Sequence, residues 1–333
     1  DNVTIGDLSA YTTPANPLDL GVYEVQRAAA RFDLANTTPA TTVFEMVEDK
    51  AETADVNEEV KLTLTEVALI NANKEFFDLK RVTADGDNNT PSNTSTDWTI
   101  LGLETQNNWV VDTKWGTKTS QDLFNPLSHA NESTYPWTTL STLTTADNWT
   151  AGTQVEGHPT PASEYYPWTY AVENTLMGIA AQQKGVTTAV VFKAKIDGAL
   201  VTAANKQPIY VFGNVLYGTW ATMKATAFAE GSELYALQAA INKVEAKGES
   251  VTTQDYADAG FTGYSYDATE GKDGYYATYY YWNRHNDNGN NDVMGVMEFA
   301  VVRNNVYKLN VTDIAKYGHP YNPDPNNPNP DPD

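Results

Sequence analysis

The chain has no cysteine, which excludes disulfide scaffolds, Cys nucleophiles, Fe–S clusters and Cys-based zinc sites, because each needs a thiolate. Basic residues are also scarce: 21 Lys and Arg face 43 Asp and Glu, for a net charge of −22. Phosphate recognition needs a basic stripe. The one compact basic run, Lys114 to Lys118, holds only two lysines around Trp115, Gly116 and Thr117, so nucleic acid is not expected as a partner. A field of this sign also repels anionic lipid headgroups. Long apolar runs are missing as well. Ala189–Phe192 and Phe299–Val302 fall far short of the ~20 residues a membrane-spanning helix requires.

Thr and Asn make up about a fifth of the 333 residues, with 20 Tyr, 10 Phe and 8 Trp. Thr, Tyr, Trp and Val suit pleated, half-buried surfaces, while Asn, Asp and Gly populate turns. The composition is that of a β-rich extracellular protein long enough to form two domains without a disulfide. Asp1-Asn2-Val3-Thr4 has neither the basic region nor the apolar stretch of a signal peptide. A first residue other than Met is expected of a mature or trimmed product, although a cloned fragment would begin the same way.

Val22 to Leu34 opens the first β-like segment, and Val60 to Val82 carries the clearest alternation of the first half, with Val60, Leu62 and Leu64 on one face and Lys61, Thr63 and Thr65 on the other. Thr83 to Asp97 reads as a polar loop. Leu127 to Pro167 mixes prolines with Trp137 and Trp149 and reads as packed flaps over a sheet. A short helical turn is expected around Leu176 to Lys184, then a strand from Gly185 to a boundary at Asp197-Gly198. The expected division is 1–197 and 198–318, two folded domains, with 319–333 as an extended tail.

In the second part, Gln207 to Ala229 reads as strand throughout. One helix follows, with Ser232 as N-cap and Leu234, Leu237, Ile241 and Val244 on one face. Gly274–Arg284, Val293–Val302 and Asn305–Ile314 read as three strands of an antiparallel meander. From His319 the chain carries Pro320, Pro323, Pro325, Pro328, Pro330 and Pro332. That density favours polyproline II, which at ~3.1 Å per residue reaches about 45 Å.

No catalytic, cofactor or metal site emerges. His129, His158, His285 and His319 are scattered, and there is no nucleophile elbow, P-loop or dinucleotide fingerprint. Two carboxylates suffice for glycoside hydrolysis, so that chemistry stays open as a third reading. Asn286 to Asp292 resembles part of a calcium loop but lacks a bidentate Glu at the required spacing. A tight turn explains the same residues.

The segment YWNRHNDNGNNDVMGVMEFAVVRNNVYKLNVTDIAKYGHP, starting at Tyr281 and running past Gly318 to Pro320, resembles the C-terminal signature of the Mfa-type major fimbrial subunits of Bacteroidales. VYEVQRAAARFDL at 22–34 is similar to that family's early strand. YAVENTLMGIAAQQKGVTTAVVFKAKI at 170–196 is similar to its inter-domain segment. The resemblance implies a mainly β protein of two transthyretin-like antiparallel β-sandwich domains with one short helix in the second, plus a Pro/Asp-rich tail. It implies a non-enzymatic fimbrillin of a type V pilus, made as an outer-membrane lipoprotein precursor and trimmed. The mature subunit would sit in a cell-surface fimbrium, polymerise by donor-strand exchange and support adhesion and colonisation.

Its implied partners are other copies of itself, anchor and tip subunits, and host or bacterial surface receptors, with no cofactor and no membrane in the mature form. The polymerisation residues expected from this reading are Val60, Leu62 and Leu64 at a groove and His319, Pro320, Pro323, Pro325 and Pro328 in the spacer. In that family an alternating apolar donor strand follows the spacer, whereas here the sequence ends at Asp333. Either the donor strand has been removed or is left out of this sequence, or Val3 to Tyr11 contributes instead, although Val3, Ile5 and Leu8 alternate poorly. The alternative function is a secreted carbohydrate-binding or tip adhesin module.

Overall fold

The structure, a computed structural model, describes residues 27–35, 43–46, 60–78, 80–83, 99–100, 109–114, 118–144, 165–176, 179–290 and 292–321. Over these residues the protein is mainly β. A seven-stranded sheet holds β2 (Val43–Met46), β3 (Val60–Ile70), β9 (Thr138–Thr139), β11 (Ala189–Asp197), β15 (Tyr266–Asp267), β16 (Gly274–Trp282) and β18 (His319–Pro320). Its main path is β15–β16–β11–β3–β2, with β18 beside β16 and β9 beside β3. A second sheet places β1 (Ala30–Ala35) between β10 (Tyr165–Ala171) and β17 (Val306–Leu309). The third is β12 (Ile209–Phe212) between β13 (Val215–Thr219) and β14 (Phe261–Tyr264). Smaller ladders join β4 (Ala72–Asn73) to β8 (Leu123–Phe124), and β5 (Arg81–Thr83) to β6 (Thr99–Ile100) and β7 (Trp109–Val111).

Alternation decides how the large sheet is buried. In β11, Val190, Phe192, Ala194 and Ile196 join the main core with Phe32 and Leu34 of β1 and Ile209 of β12. Ala189 and Val191 point the other way, to Tyr135, Trp137 and Trp282. In β3 the period is interrupted by one extra residue: Lys193 pairs with Glu66 and Ala194 with Leu64, leaving Thr65 between them. That bulge lets Leu64 and Val67 face the same core, and it turns Glu66 to the opposite face. The packed flap reading holds for the described part of its segment, where Tyr135, Leu140 and Leu143 are buried.

The expected division at 197/198 does not divide this sheet, since β16 pairs with β11 over eight positions from Ala189↔Trp282 to Ile196↔Tyr275. Several expectations need correction. Among the described residues the first strand covers Ala30–Ala35, and positions 22–26 of the expected segment lie outside them. β3 ends at Ile70 because Asn71 takes a left-handed φ of 54°. Instead of one helix there are five α-helices among the described residues, α1 (Leu140–Thr144), α2 (Ala199–Ala203), α3 (Trp220–Ala227), α4 (Tyr235–Glu245) and α5 (Thr253–Asp258).

α3 lies where strand was expected, started by Thr219, whose side chain accepts from Thr222 N at 3.2 Å. α4 does bury Leu237, Ile241 and Val244, although Leu234 rather than Ser232 holds its N-cap. The expected meander is absent. Val293–Val302 forms no strand, with Met297 at φ 54° and only a bridge from Val301 to Asn174. β17 leaves the large sheet and pairs parallel with β1, Phe32 opposite Tyr307.

Candidate assembly site

Beside β16 the ladder of β18 is short, with Ala277 opposite Pro320 and Thr278 opposite His319. Beyond it a cavity of about 670 Å³ runs along Tyr279–Trp282. Its apolar floor includes Leu64, Phe192 and Tyr279, and its outer wall is the segment 308–319, with Leu309, Val311 and Ile314. That wall is held at defined points. Asn214, at φ 64° in the β12–β13 turn, donates to Ala315 O at 3.3 Å and accepts from Tyr317 N at 3.1 Å. Tyr264 OH donates to Gly318 O at 2.5 Å, and Tyr279 OH to Lys316 O at 3.1 Å. Burial raises the pKa of Tyr264 and Tyr279 above the ordinary phenol value, so both remain neutral donors.

The structure separates the expected polymerisation residues. Val60, Leu62 and Leu64 are 1%, 0% and 1% exposed; the first two lie in the core opposite Met46 and Phe44 of β2, and only Leu64 reaches the cavity. His319 lines the same cavity, and Pro320 sits in β18. Pro323, Pro325 and Pro328 lie outside the described residues. Sequence reasoning missed Tyr279, Val311 and Ile314. The signal available was the alternation of Val311 with Leu309 in Asn305–Ile314, which was read as strand rather than as a wall.

The segment that carries the resemblance builds a polar frame, buried at Asn283, Glu298 and Arg303 and exposed over Asn286–Asn290. Asn283, 1% exposed, donates to Ala300 O at 2.8 Å. Arg284 meets Glu298 at 3.1 Å, and His285 N donates to Glu298 O at 2.8 Å. Arg303 pairs with Glu173 through Nε and Nη2 and donates from Nη2 to Phe77 O at 2.6 Å. Burial raises the Glu173 pKa, and Arg303 opposes that shift. A buried carboxylate needs such a partner. In Asn286–Asp292 the side-chain oxygens accept from backbone: Asp287 from Gly289 N at 2.8 Å, Asn288 from Asn290 N at 2.7 Å, and Asn290 from Asp292 N at 3.0 Å. With Gly289 at φ 70°, these are successive Asx turns.

No curated protein matches the chain. Residues 273–333 match the family model described as major fimbrial subunit protein type IV, fimbrillin, C-terminal. This segment contains β16, the polar frame and the cavity wall. Over residues 273–333 the chain is therefore similar to the C-terminal region of fimbrillin-type major fimbrial subunits.

Proposed function

We propose that the protein is a structural, non-enzymatic subunit of a cell-surface fimbrium and that it polymerises by strand donation, the cavity along β16 receiving an extended apolar segment of a second copy. One observation carries the reading: all residues lining that cavity except Leu64, Leu127, Lys184 and Phe192 lie within the fimbrillin-matched segment. Strand addition supplies backbone hydrogen bonds along an edge and pockets for alternate side chains. Four residues of β16 beyond Thr278 offer about 13 Å of such an edge.

The same reading takes 1–197 and 198–318 as two transthyretin-like parts, coupled by β16 on β11, and 319–333 as the spacer of the donor. Val60 and Leu62 then support the groove floor beneath Leu64, and His319 and Pro320 set where the spacer leaves it. Anchor and tip subunits and surface receptors complete the assembly. The lipoprotein precursor belongs to this reading too. Electron microscopy of the purified chain and of the native cell surface tests it, and absence of the chain from any filament would reject it.

A second reading, a carbohydrate-binding tip module, is favoured by one feature. Tyr210 and Trp220, their rings 5.3 Å apart, line a cavity of about 460 Å³ with Gln207, Thr219 and Lys224. Aromatic faces with a few polar groups suit a sugar ring. Specific glycan retention lost in Trp220→Ala would support this reading over the stalk role.

A further inference from the structure

Lys118, Asp112 and Asn174 meet in the interior, far from the assembly cavity in both chemistry and lining. The Lys118 side chain is 1% exposed, and Asp112 and Asn174 are 0% exposed. Lys118 Nζ contacts both Asp112 Oδ2 and Asn174 Oδ1 and donates to Thr175 O at 3.0 Å. The carboxamide is fixed in orientation. Asn174 Nδ2 donates to Asn71 O at 2.9 Å, Val186 O at 2.9 Å and Thr188 Oγ1 at 2.8 Å, so its carbonyl side faces the amine. Asp112 is fixed too, accepting from Thr175 N at 2.7 Å on Oδ2 and from Lys114 N at 2.8 Å on Oδ1.

We propose that Lys118 and Asn174 react in the folded protein to form an intramolecular amide, with Asp112 carrying the protons. Burial lowers the pKa of Lys118 by desolvation, against the pull of Asp112, which favours the neutral, nucleophilic amine. A fixed amine against a fixed carbonyl removes the entropic barrier of a bimolecular aminolysis, and an adjacent carboxyl supplies acid–base catalysis.

The step balances without a co-reactant. Asp112 takes one proton from the Lys118 ammonium. The freed Nζ pair bonds to Asn174 Cγ while the carbonyl π pair moves to Oδ1, which accepts that proton. Asp112 then moves the second Nζ proton to Nδ2. As the carbonyl re-forms and returns its proton to Asp112, the Cγ–Nδ2 bond breaks with its pair on nitrogen. Ammonia leaves, taking the last proton from Asp112. Ammonium and carboxamide become a secondary amide and an ammonium ion, and Asp112 ends as the carboxylate it began as.

The bond would join positions 56 residues apart, closing the loop that contains β8, α1 and β10. In a chain without cysteine it would be a covalent tie of the kind a disulfide gives elsewhere. The test is peptide mass spectrometry of the folded full chain after denaturation and digestion. The expected result is one branched peptide containing residues 118 and 174, lighter than the sum of its linear parts by one ammonia, about 17 Da. Asp112→Asn, with its fold checked by circular dichroism, should yield the linear peptides. Linear peptides from the unaltered chain overturn the proposal. A branch on Asp112 with loss of water overturns the role of Asn174, and a branch persisting in Asp112→Asn overturns the proton carrier.

Discussion

Lys193 Nζ lies 3.7 Å from the ring centroid of Tyr321 and 4.4 Å from that of Tyr276, while its charge pairs with Glu66 Oε2 at 3.1 Å. Tyr321 directly follows β18. This buried lysine of β11, opposite Glu66 at the β3 bulge, therefore anchors Tyr321 beside β18. A desolvated cation over an aromatic face contributes about 2 kcal/mol. A double-mutant cycle of Lys193→Met with Tyr321→Leu, read by denaturant unfolding, should give a coupling of about 1–2 kcal/mol. Coupling near zero would show that Tyr321 is held by its backbone bond to Tyr276 O at 3.0 Å and by apolar packing alone.

Gly318 precedes β18 and has little room. A Cβ there would meet Thr278 O of β16 and come within 2.9 Å of the Tyr279 ring. The ring can turn; the ladder carbonyl cannot. Gly318→Ala should cost about 1–3 kcal/mol by overpacking, and it should speed exchange of the Tyr321 amide by lifting β18 from β16. Unchanged exchange would mean that β18 tolerates the shift. Glycine at 318 thus has a steric reason in this chain.

β3, β11 and β16 were legible because both faces of the sheet are packed and their alternating residues sort into two clusters. α4 was legible from its 3.6-residue repeat. α3 was not, because Trp220–Ala227 directly follows a strand-like run and carries no clear apolar stripe, so that only the Thr219 cap marks its start. Val293–Val302 misled for the opposite reason: its apolar residues fill a core through turns, with Met297 in the left-handed region, and composition does not report φ. The buried pairs were invisible. Glu173 and Arg303 are 130 residues apart, Glu66 and Lys193 are 127 apart, and nothing local marks either pair.

Stability should fall at alkaline pH with a slope set by buried phenols. Burial raises the pKa values of Tyr276 and Tyr321, and it pushes Tyr307 up to about 12. In the unfolded chain these groups lose their protons near pH ~10. Above that pH the folded state holds more protons than the unfolded one, so unfolding becomes more favourable as pH rises from about 10 toward the folded values. Each such tyrosine contributes about 1.4 kcal/mol per pH unit in that window. Tyr307→Phe should flatten the slope of unfolding free energy against pH by about that amount, whatever it costs at neutral pH through the lost bond to Val302 N. An unchanged slope would place Tyr307 ionisation outside the unfolding equilibrium.

Assembly can be separated from folding at Val311. It is partly buried against the main core and lines the cavity, but it lies outside every strand ladder. Arginine there would place a charge where the donated segment inserts, and an unpaired charge in an apolar groove is costly, whereas in the free subunit a long side chain can reach water. Val311→Arg should therefore leave the thermal midpoint within a few degrees of the parent and abolish filaments in electron micrographs. Ile241→Ala is the contrasting change: fully buried on α4 and apart from the cavity lining, it should cost about 2–5 kcal/mol of stability yet leave assembly intact wherever the protein is folded. Filaments formed normally by a folded Val311→Arg subunit would remove the cavity along β16 as the receiving groove, because the two substitutions would then fail to distinguish a binding surface from a core.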